Sequence, residues 1–66
     1  MIEVTVNGEA VALEDPNLEA LVGRSVQSKR GVAVAVNGEV VPRSAWPSQQ
    51  LSSGDRVEVL QAAAGG

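Results

Sequence analysis

Residues 2–13 have the sequence Ile-Glu-Val-Thr-Val-Asn-Gly-Glu-Ala-Val-Ala-Leu, in which larger apolar residues alternate with polar or small ones on both sides of Asn7-Gly8. Alternation with a period of two is typical of a strand that buries one face. An Asn-Gly pair between two such runs favours a type I′ turn, because both central residues of that turn need positive φ. The stretch therefore predicts a β-hairpin.

A helix is predicted directly after this hairpin. Asp15-Pro16 is typical of a helix start, because Asp is a favoured N-cap and Pro loses no hydrogen bond at the first helical position. Apolar residues then recur at the spacing of one helical face, at Leu18, Leu21, Val22 and Val26. Lys29-Arg30 suits the negative end of the helix dipole, and Gly31 suits a left-handed cap.

Three further strands are predicted in the second half of the chain. Residues 32–36 are apolar on both faces, and a second Asn-Gly pair, Asn37-Gly38, connects them to residues 39–41. Residues 43–55 have no clear period, whereas residues 56–60 alternate as a last strand.

The predicted order is therefore β-β-α-β-β, an irregular segment and a final β. One helix covers only one face of a small mixed sheet, which makes an α+β domain. We expect a ubiquitin-like β-grasp fold, with a mixed sheet of about five strands packed against one main helix. We expect residues 1–61 to form this single domain and residues 62–66 to form a flexible C-terminal tail that ends in Gly-Gly.

The composition argues against several classes of function. The chain has 66 residues, which supports one domain, and it contains neither Cys nor His. Without those side chains most mechanisms of covalent and general base catalysis are excluded, and neither a disulfide nor a zinc site can form. We therefore expect a protein that is not itself an enzyme and that binds no metal and no cofactor of its own.

Charge and hydropathy narrow the choice of partners. Eight acidic residues against five basic ones give a net charge of −3, which argues against nucleic acid. No apolar run approaches the roughly 20 residues that span a bilayer, and the sequence starts with a strand pattern rather than a targeting segment. We expect a cytoplasmic domain that binds neither nucleic acid nor membrane and that is a monomer when free.

The C-terminal residues have an evident chemical use. From Ala62 to Gly66 no side chain is larger than a methyl group, so an extended tail of roughly 17 Å could thread a narrow channel in a partner. The terminal carboxylate is ionised at neutral pH and can attack the α-phosphate of ATP to give an acyl adenylate. A sulfur nucleophile could then displace AMP. Small, flexible C-termini are also common by chance, so the tail alone leaves the function open.

Several segments together resemble one known family. They are residues 2–8, residues 34–46 (Val-Ala-Val-Asn-Gly-Glu-Val-Val-Pro-Arg-Ser-Ala-Trp), the Gly54-Asp55 turn with the strand after it, and Gly65-Gly66. The likeness covers essentially the whole chain, which is similar to the thiamine-biosynthesis sulfur carriers, a family of ubiquitin-like proteins. One departure is the helix, in which Asn17 and Gly23 are poorer helix formers than the family pattern leads us to expect.

This resemblance implies a specific series of reactions. An adenylyltransferase related to ubiquitin-activating enzymes would use ATP to adenylate Gly66. The thiocarboxylate formed next would carry sulfur that a cysteine desulfurase, or another sulfur donor, takes from cysteine. It would deliver that sulfur to thiazole synthase. By this resemblance Gly66 is the modified residue, and Ala64, Gly65 and Gly66 form the tail that enters the partner's active site.

Three other functions stay open at this point. The small subunit of molybdopterin synthase shares the fold, the Gly-Asp turn and the Gly-Gly end, although it lacks the Val-Pro-Arg-x-x-Trp segment. A ubiquitin-like modifier joined to lysines of other proteins would need the same end and an activating enzyme. A plain binding domain would leave the tail idle.

Three single residues have two interpretations each. Trp46, the only aromatic residue, either fills one end of a Val- and Leu-rich core or is a partly exposed docking residue. Arg43 either anchors the irregular segment by hydrogen bonds to backbone carbonyls or meets an acidic partner. Leu60 is expected on the outer face of the last strand, either as a lone exposed residue or as part of a partner-binding patch.

Overall fold

A computed structural model describes residues 1–25 and 31–61 of the chain. Its strands are β1 (Ile2–Val6), β2 (Glu9–Leu13), β3 (Val32–Val36), β4 (Glu39–Val41) and β5 (Arg56–Gln61). Within those residues an α-helix, α1 (Leu18–Ser25), follows β2, and a 3₁₀ helix (Arg43–Ser48) follows β4. The predicted order of strands and helix is confirmed. The 3₁₀ helix was not predicted, because its residues show no regular spacing of apolar residues.

The five strands form one mixed sheet in the order β2-β1-β5-β3-β4. The first and last strands, β1 and β5, run parallel, and the other neighbouring pairs are antiparallel. The last strand in the sequence is therefore the central strand of the sheet, with one hairpin on each side of it. This sheet and helix α1 confirm the predicted α+β, ubiquitin-like β-grasp architecture.

Both hairpins turn at an Asn-Gly pair. The φ angles are 51° and 86° at Asn7 and Gly8, and 52° and 85° at Asn37 and Gly38. A type I′ turn needs positive φ at both central residues, and Asn and Gly adopt it at the lowest cost. Both turns were therefore predicted correctly from two residues each.

The core lies between one face of the sheet and the helices. Its buried residues form one cluster, which consists of Val4, Leu13, Leu18, Leu21, Val22, Val34, Val36, Trp46, Leu51, Val57 and Val59. Residues from α1, from the 3₁₀ helix and from four strands belong to this cluster, so helix and sheet share one core. Burial of each valine or leucine side chain stabilises the fold by about 1.5–3 kcal/mol.

The helix begins later than the sequence predicted. Its first residue is Leu18, and its N-cap is Asn17, whose Oδ1 accepts a hydrogen bond from the N–H of Ala20 at 3.2 Å. The Asp15 carboxylate instead accepts a bond from the N–H of Asn17 at 3.0 Å, which forms an Asx turn before the helix. The predicted cap at Asp15 was therefore wrong. Asn17 stabilises the helix as its cap rather than weakening its interior.

A tertiary contact explains why the cap lies at Asn17. The Nδ2 of Asn17 donates a hydrogen bond of 2.8 Å to the carbonyl oxygen of Pro47, 30 residues further on. The N–H of Leu18 donates to the carbonyl oxygen of Gln49 at 3.0 Å. These bonds join the start of α1 to the 3₁₀ helix and the residue after it, so no local signal reveals the cap position.

Trp46 anchors the 3₁₀ helix in the core. Its side chain is 1% exposed, and its indole N–H donates to the carbonyl oxygen of Val41 at 2.9 Å. A buried indole needs such a partner for its N–H. The prediction that Trp46 fills the core is confirmed, and its burial rules out the alternative of a partly exposed docking residue.

Some predictions concern residues outside the described ranges. These are the helical positions Val26, Lys29 and Arg30, and the C-terminal residues 62–66. Gly31 has a positive φ of 67°, and its predicted role as a helix cap stays a prediction because residues 26–30 lie outside the described ranges. Neither helix of the described ranges has the length and apolar character that a membrane-spanning helix requires.

Candidate functional site

The residues predicted to carry the chemistry are Ala64, Gly65 and Gly66, and they lie outside the described ranges. The structure does describe the strand that leads to them. β5 ends at Gln61, and five residues follow it in the sequence. Five residues span at most roughly 17 Å when extended. An enzyme that acts on Gly66 must therefore reach to within that distance of the end of β5.

The support of β5 changes along its length. At its start, two β5 residues pair with Thr5 and Val6 of β1. On its other side, β3 pairs with β5 as far as Gln61. Beyond Val57, therefore, the backbone of β5 is in register with β3 alone among the described strands.

The side chain of Asn7 continues the support of β5 beyond the end of β1. The N–H of Val59 donates to the Oδ1 of Asn7 at 2.9 Å, and the Nδ2 of Asn7 donates to the carbonyl oxygen of Val59 at 3.1 Å. The backbone N–H of Asn7 donates to the carbonyl oxygen of Val57 at 2.9 Å. A carboxamide offers the donor and acceptor of a peptide group, so it takes the place of one more β1 residue. The end of β5 is thereby held at Val59.

The face of the sheet opposite α1 carries a small apolar surface. Strand register places Leu60 opposite Ala33 and Val40 opposite Ala35 on this face. Leu60 is 68% exposed and Val40 is 77% exposed. We call these four residues the outer apolar strip. The strip crosses β5, β3 and β4, and its Leu60 end directly precedes the last described residue, Gln61.

The two predicted docking residues occupy different surroundings. Leu60 is confirmed on the outer face of β5, where it belongs to the strip and does not stand alone. Arg43 is exposed at the start of the 3₁₀ helix, outside the sheet. Within the described ranges no backbone carbonyl accepts a hydrogen bond from its guanidinium, so the anchoring role finds no support. Contact of Arg43 with an acidic partner stays a prediction.

Val40 was not predicted from the sequence as a surface residue of interest. The strand Glu39–Val41 has two successive valines, and successive side chains of a strand point to opposite faces. Val41 is half-buried beside the core, so Val40 must point outward. This alternation was visible in the sequence, although it did not show which of the two valines faces the core.

A shallow groove lies at the other end of β5. Its volume is about 350 Å³, and its lining includes Asn37, Pro42, Gln49 and Asp55. Asn37 accepts a hydrogen bond of 2.9 Å from the N–H of Arg56, the first residue of β5. A strand of this length spans about 17 Å, so the groove is remote from the C-terminal end of β5. In the part of the chain that the structure describes, no three acidic side chains come together to bind a metal ion.

Comparison with known proteins agrees with this arrangement. The model of the ThiS family matches residues 3–66, from β1 to the final Gly-Gly. This chain belongs to the ThiS family. The resemblance stated from the sequence is thereby confirmed, and so is the β-grasp fold of the ThiS family.

Two ThiS proteins show how far the similarity extends. The sulfur carrier protein ThiS of Escherichia coli (strain K12) is 38% identical over 40 residues, which cover 61% of this chain and 61% of that protein. The crystal structure of the thiamine biosynthesis protein ThiS from Geobacter metallireducens matches with a TM-score of 0.78 and 33% identity, covering 98% of this chain and 100% of that chain. The ThiS fold is shared over almost the whole chain, whereas the similarity to the E. coli protein spans about three fifths of each.

Proposed function

We propose that this member of the ThiS family is a sulfur carrier. A partner enzyme adenylates the carboxylate of Gly66, which becomes a thiocarboxylate and donates its sulfur to thiazole formation in thiamine biosynthesis. The match to the ThiS family through residue 66 carries this proposal, because the residues that would hold the sulfur lie inside the matched region. The names of the two relatives, a sulfur carrier and a thiamine biosynthesis protein, agree with both parts of it.

The chemistry begins with a carboxylate oxygen of Gly66 as the nucleophile. This oxygen attacks the α-phosphorus of ATP, pyrophosphate leaves, and an acyl adenylate forms. A sulfur nucleophile then attacks the carbonyl carbon and AMP leaves, so that sulfur is bonded to the terminal carbon. When the sulfur passes to the substrate of thiazole synthase, the bond between sulfur and the terminal carbon breaks, and an oxygen from water or from that substrate bonds to the carbon and restores the carboxylate.

In this scheme the chain is a substrate of other enzymes. It has no Cys and no His with which to activate a nucleophile, so its partners supply the catalytic groups. The adenylyltransferase consumes the ATP, a cysteine desulfurase or another donor supplies the sulfur, and thiazole synthase receives it. The carrier contributes one reactive carboxylate on a segment without bulky side chains.

The outer apolar strip is the surface proposed to contact the adenylating partner. Leu60 lies six residues before Gly66, so an enzyme that holds Gly66 has the Leu60 end of the strip within roughly 20 Å. Val40 and Leu60 are exposed in the chain by itself. Burial of their apolar area against a partner would contribute about 25 cal/mol of binding free energy per Å². Apolar side chains of this kind concentrate in the core of an interface, with charged residues at its rim. Arg43 is the proposed rim contact, paired with an acidic residue of the partner.

Intact mass measurement tests the proposal. The full-length chain is incubated with the adenylating enzyme of a thiamine pathway, ATP and sulfide, and the E. coli ThiS protein is treated in parallel. We expect the mass increase that corresponds to one terminal oxygen replaced by sulfur. If the E. coli protein gains sulfur and this chain does not, the proposal is wrong. Adducts of higher mass on lysines of other proteins would instead identify a modifier.

A variant with one alanine added after Gly66 is the matched control. It moves the carboxylate by one residue and leaves residues 1–61 unchanged, so its melting temperature should equal that of the wild type. It should gain no sulfur.

Delivery of the sulfur is tested in a separate experiment, in which thiocarboxylated wild-type protein is added to thiazole synthase. Sulfur should leave the carrier only when the synthase and its substrates are present.

A further inference from the structure

An acidic side chain lies beside the outer apolar strip. Strand register places Glu58 directly opposite Ala35, which is in turn opposite Val40, so these three residues form one row across β5, β3 and β4. Leu60 is two residues further along β5, on the same face and roughly 7 Å away. Glu58 therefore borders the strip at its β5 end, next to the strip residue that is nearest in sequence to Gly66.

The carboxylate of Glu58 has no protein partner in the part of the chain that the structure describes. The side chain is exposed, and none of the described residues forms a hydrogen bond or an ion pair with it. The nearest basic residue of β5 on the same face is Arg56, which lies on the side away from Leu60 and forms no ion pair with Glu58. Water therefore solvates this charge.

Contact with a partner protein would change that solvation. A typical specific interface buries roughly 800 Å² on each partner, an area that extends well beyond the roughly 7 Å between Glu58 and Leu60. An enzyme that covers Leu60 and Ala35 therefore also removes water from the carboxylate beside them. A carboxylate that loses water without gaining a partner weakens binding, whereas one that meets a cation forms a short, charge-assisted hydrogen bond.

We propose that Glu58 selects the adenylating partner through an ion pair with an arginine or lysine of that enzyme. The proposal rests on the proposed function, because it takes the enzyme that holds Gly66 as the protein that covers the strip. The surface that fits the carrier is then an apolar patch with a basic side chain beside it. A protein with an apolar patch alone, or with an acidic residue at that position, is rejected, because Glu58 would be buried without a cation.

The sign of one kinetic effect tests this ion pair. Glu58→Gln removes the charge and keeps the size of the side chain. If the enzyme presents a cation, the substitution should raise the KM for the carrier roughly tenfold, since a charge-assisted bond is lost. If the enzyme presents apolar groups alone, the same substitution should lower KM, since a neutral amide costs less to bury than a carboxylate. Only a higher KM agrees with the proposal.

Two further variants control for the change of charge and for the neighbouring arginine. Glu3→Gln makes the same change on the same face, but the parallel register of β1 and β5 puts Glu3 roughly 20 Å from Leu60, so its KM should equal that of the wild type. Arg56→Gln removes the nearest cation of the carrier itself and should also leave KM unchanged. A rise in Arg56→Gln as large as that in Glu58→Gln would contradict a cation supplied by the enzyme.

Adenylation is measured as pyrophosphate release from the full-length chain, ATP and the adenylating enzyme of a thiamine pathway, with E. coli ThiS in parallel. The kcat should be the same for the wild type and the three variants, because Glu58 precedes the reacting carboxylate of Gly66 by eight residues. Thermal melts should also agree, since each substituted side chain is exposed.

Two negative results have different meanings. If E. coli ThiS is adenylated and the wild-type chain is not, the proposed function is wrong, and the role of Glu58 is wrong with it. If the wild-type chain is adenylated and the KM of Glu58→Gln is unchanged or reduced, only the role of Glu58 is wrong.

Discussion

The two faces of the sheet are built by the same strands, yet they have opposite physical properties. On the inner face Val4, Val34 and Val57 are at most 1% exposed, whereas on the outer face Val40 and Leu60 are 77% and 68% exposed. Alternate residues of each strand supply the two faces. Stability therefore depends on the inner residues, and the outer residues are available for contacts with other proteins. Four predictions separate these roles.

The largest effect is expected from a charge on the inner face. Val34→Asp places an unpaired carboxylate in the core, at a cost of about 3–5 kcal/mol. The whole domain is stable by only about 3–10 kcal/mol on the usual scale per residue, so most of this stability is lost. Ala33→Asp, the neighbouring exposed residue, is the control and should change the unfolding free energy little. Urea unfolding followed by circular dichroism compares them, and similar midpoints for both variants would contradict the assignment of the faces.

Removal of the single aromatic side chain should have the next largest effect. Trp46→Ala leaves a cavity in the core and should reduce the free energy of unfolding by about 3–5 kcal/mol. Trp46→Phe refills most of the space but leaves the Val41 carbonyl without its indole donor, so its loss should be smaller. Denaturant titration of both variants gives the ranking. An alanine variant as stable as the wild type would show that Trp46 does not fill the core.

The helix start should show an intermediate effect. Asn17→Ala removes the N-cap and the bond to Pro47, and we expect a loss of about 1–2 kcal/mol. Asp15→Ala removes only the Asx turn and should cost less. Thermal melts of the two variants measure both losses of stability. A greater loss in Asp15→Ala than in Asn17→Ala would indicate that Asp15 caps the helix, as the sequence predicted.

The smallest effect on stability is expected on the outer face. Leu60→Asp should change the free energy of unfolding by no more than about 0.5 kcal/mol, because the side chain is exposed. It should raise the KM of the adenylating partner for the carrier by roughly tenfold, since it puts a charge in the proposed interface. Ala12→Asp, also exposed but on the edge strand β2, is the control and should leave KM unchanged. Equal KM values for the two variants would contradict the proposal that the strip contacts the adenylating partner.

The parts of the fold that local chemistry determines could be predicted from the sequence. Asn7-Gly8 and Asn37-Gly38 favour positive φ by themselves, and the alternation of apolar residues marks the strands. The start of α1 could not be predicted, because Asp15 and Asn17 are both good caps and a bond to Pro47 decides between them. The 3₁₀ helix was missed because it has no amphipathic period and is held by one buried side chain.

The candidate site was predictable to a similar extent. Alternation in the last strand placed Leu60 outside, and the structure confirms this position. The bonds between Asn7 and Val59 could not be predicted, since 52 residues separate them and only the parallel pairing of β1 with β5 brings them together. The roles of Gly65 and Gly66 stay predictions, since both lie outside the described ranges.

The central position of β5 has a consequence for damaged copies of the molecule. The β1–β2 and β3–β4 hairpins do not pair with each other, so without β5 the sheet would divide into two hairpins, each with an unpaired inner edge. A protease cut ahead of Arg56 therefore separates the strand that joins the two halves of the sheet from both of them. The outer apolar strip crosses three strands including β5, so the same cut also removes Leu60 from the strip.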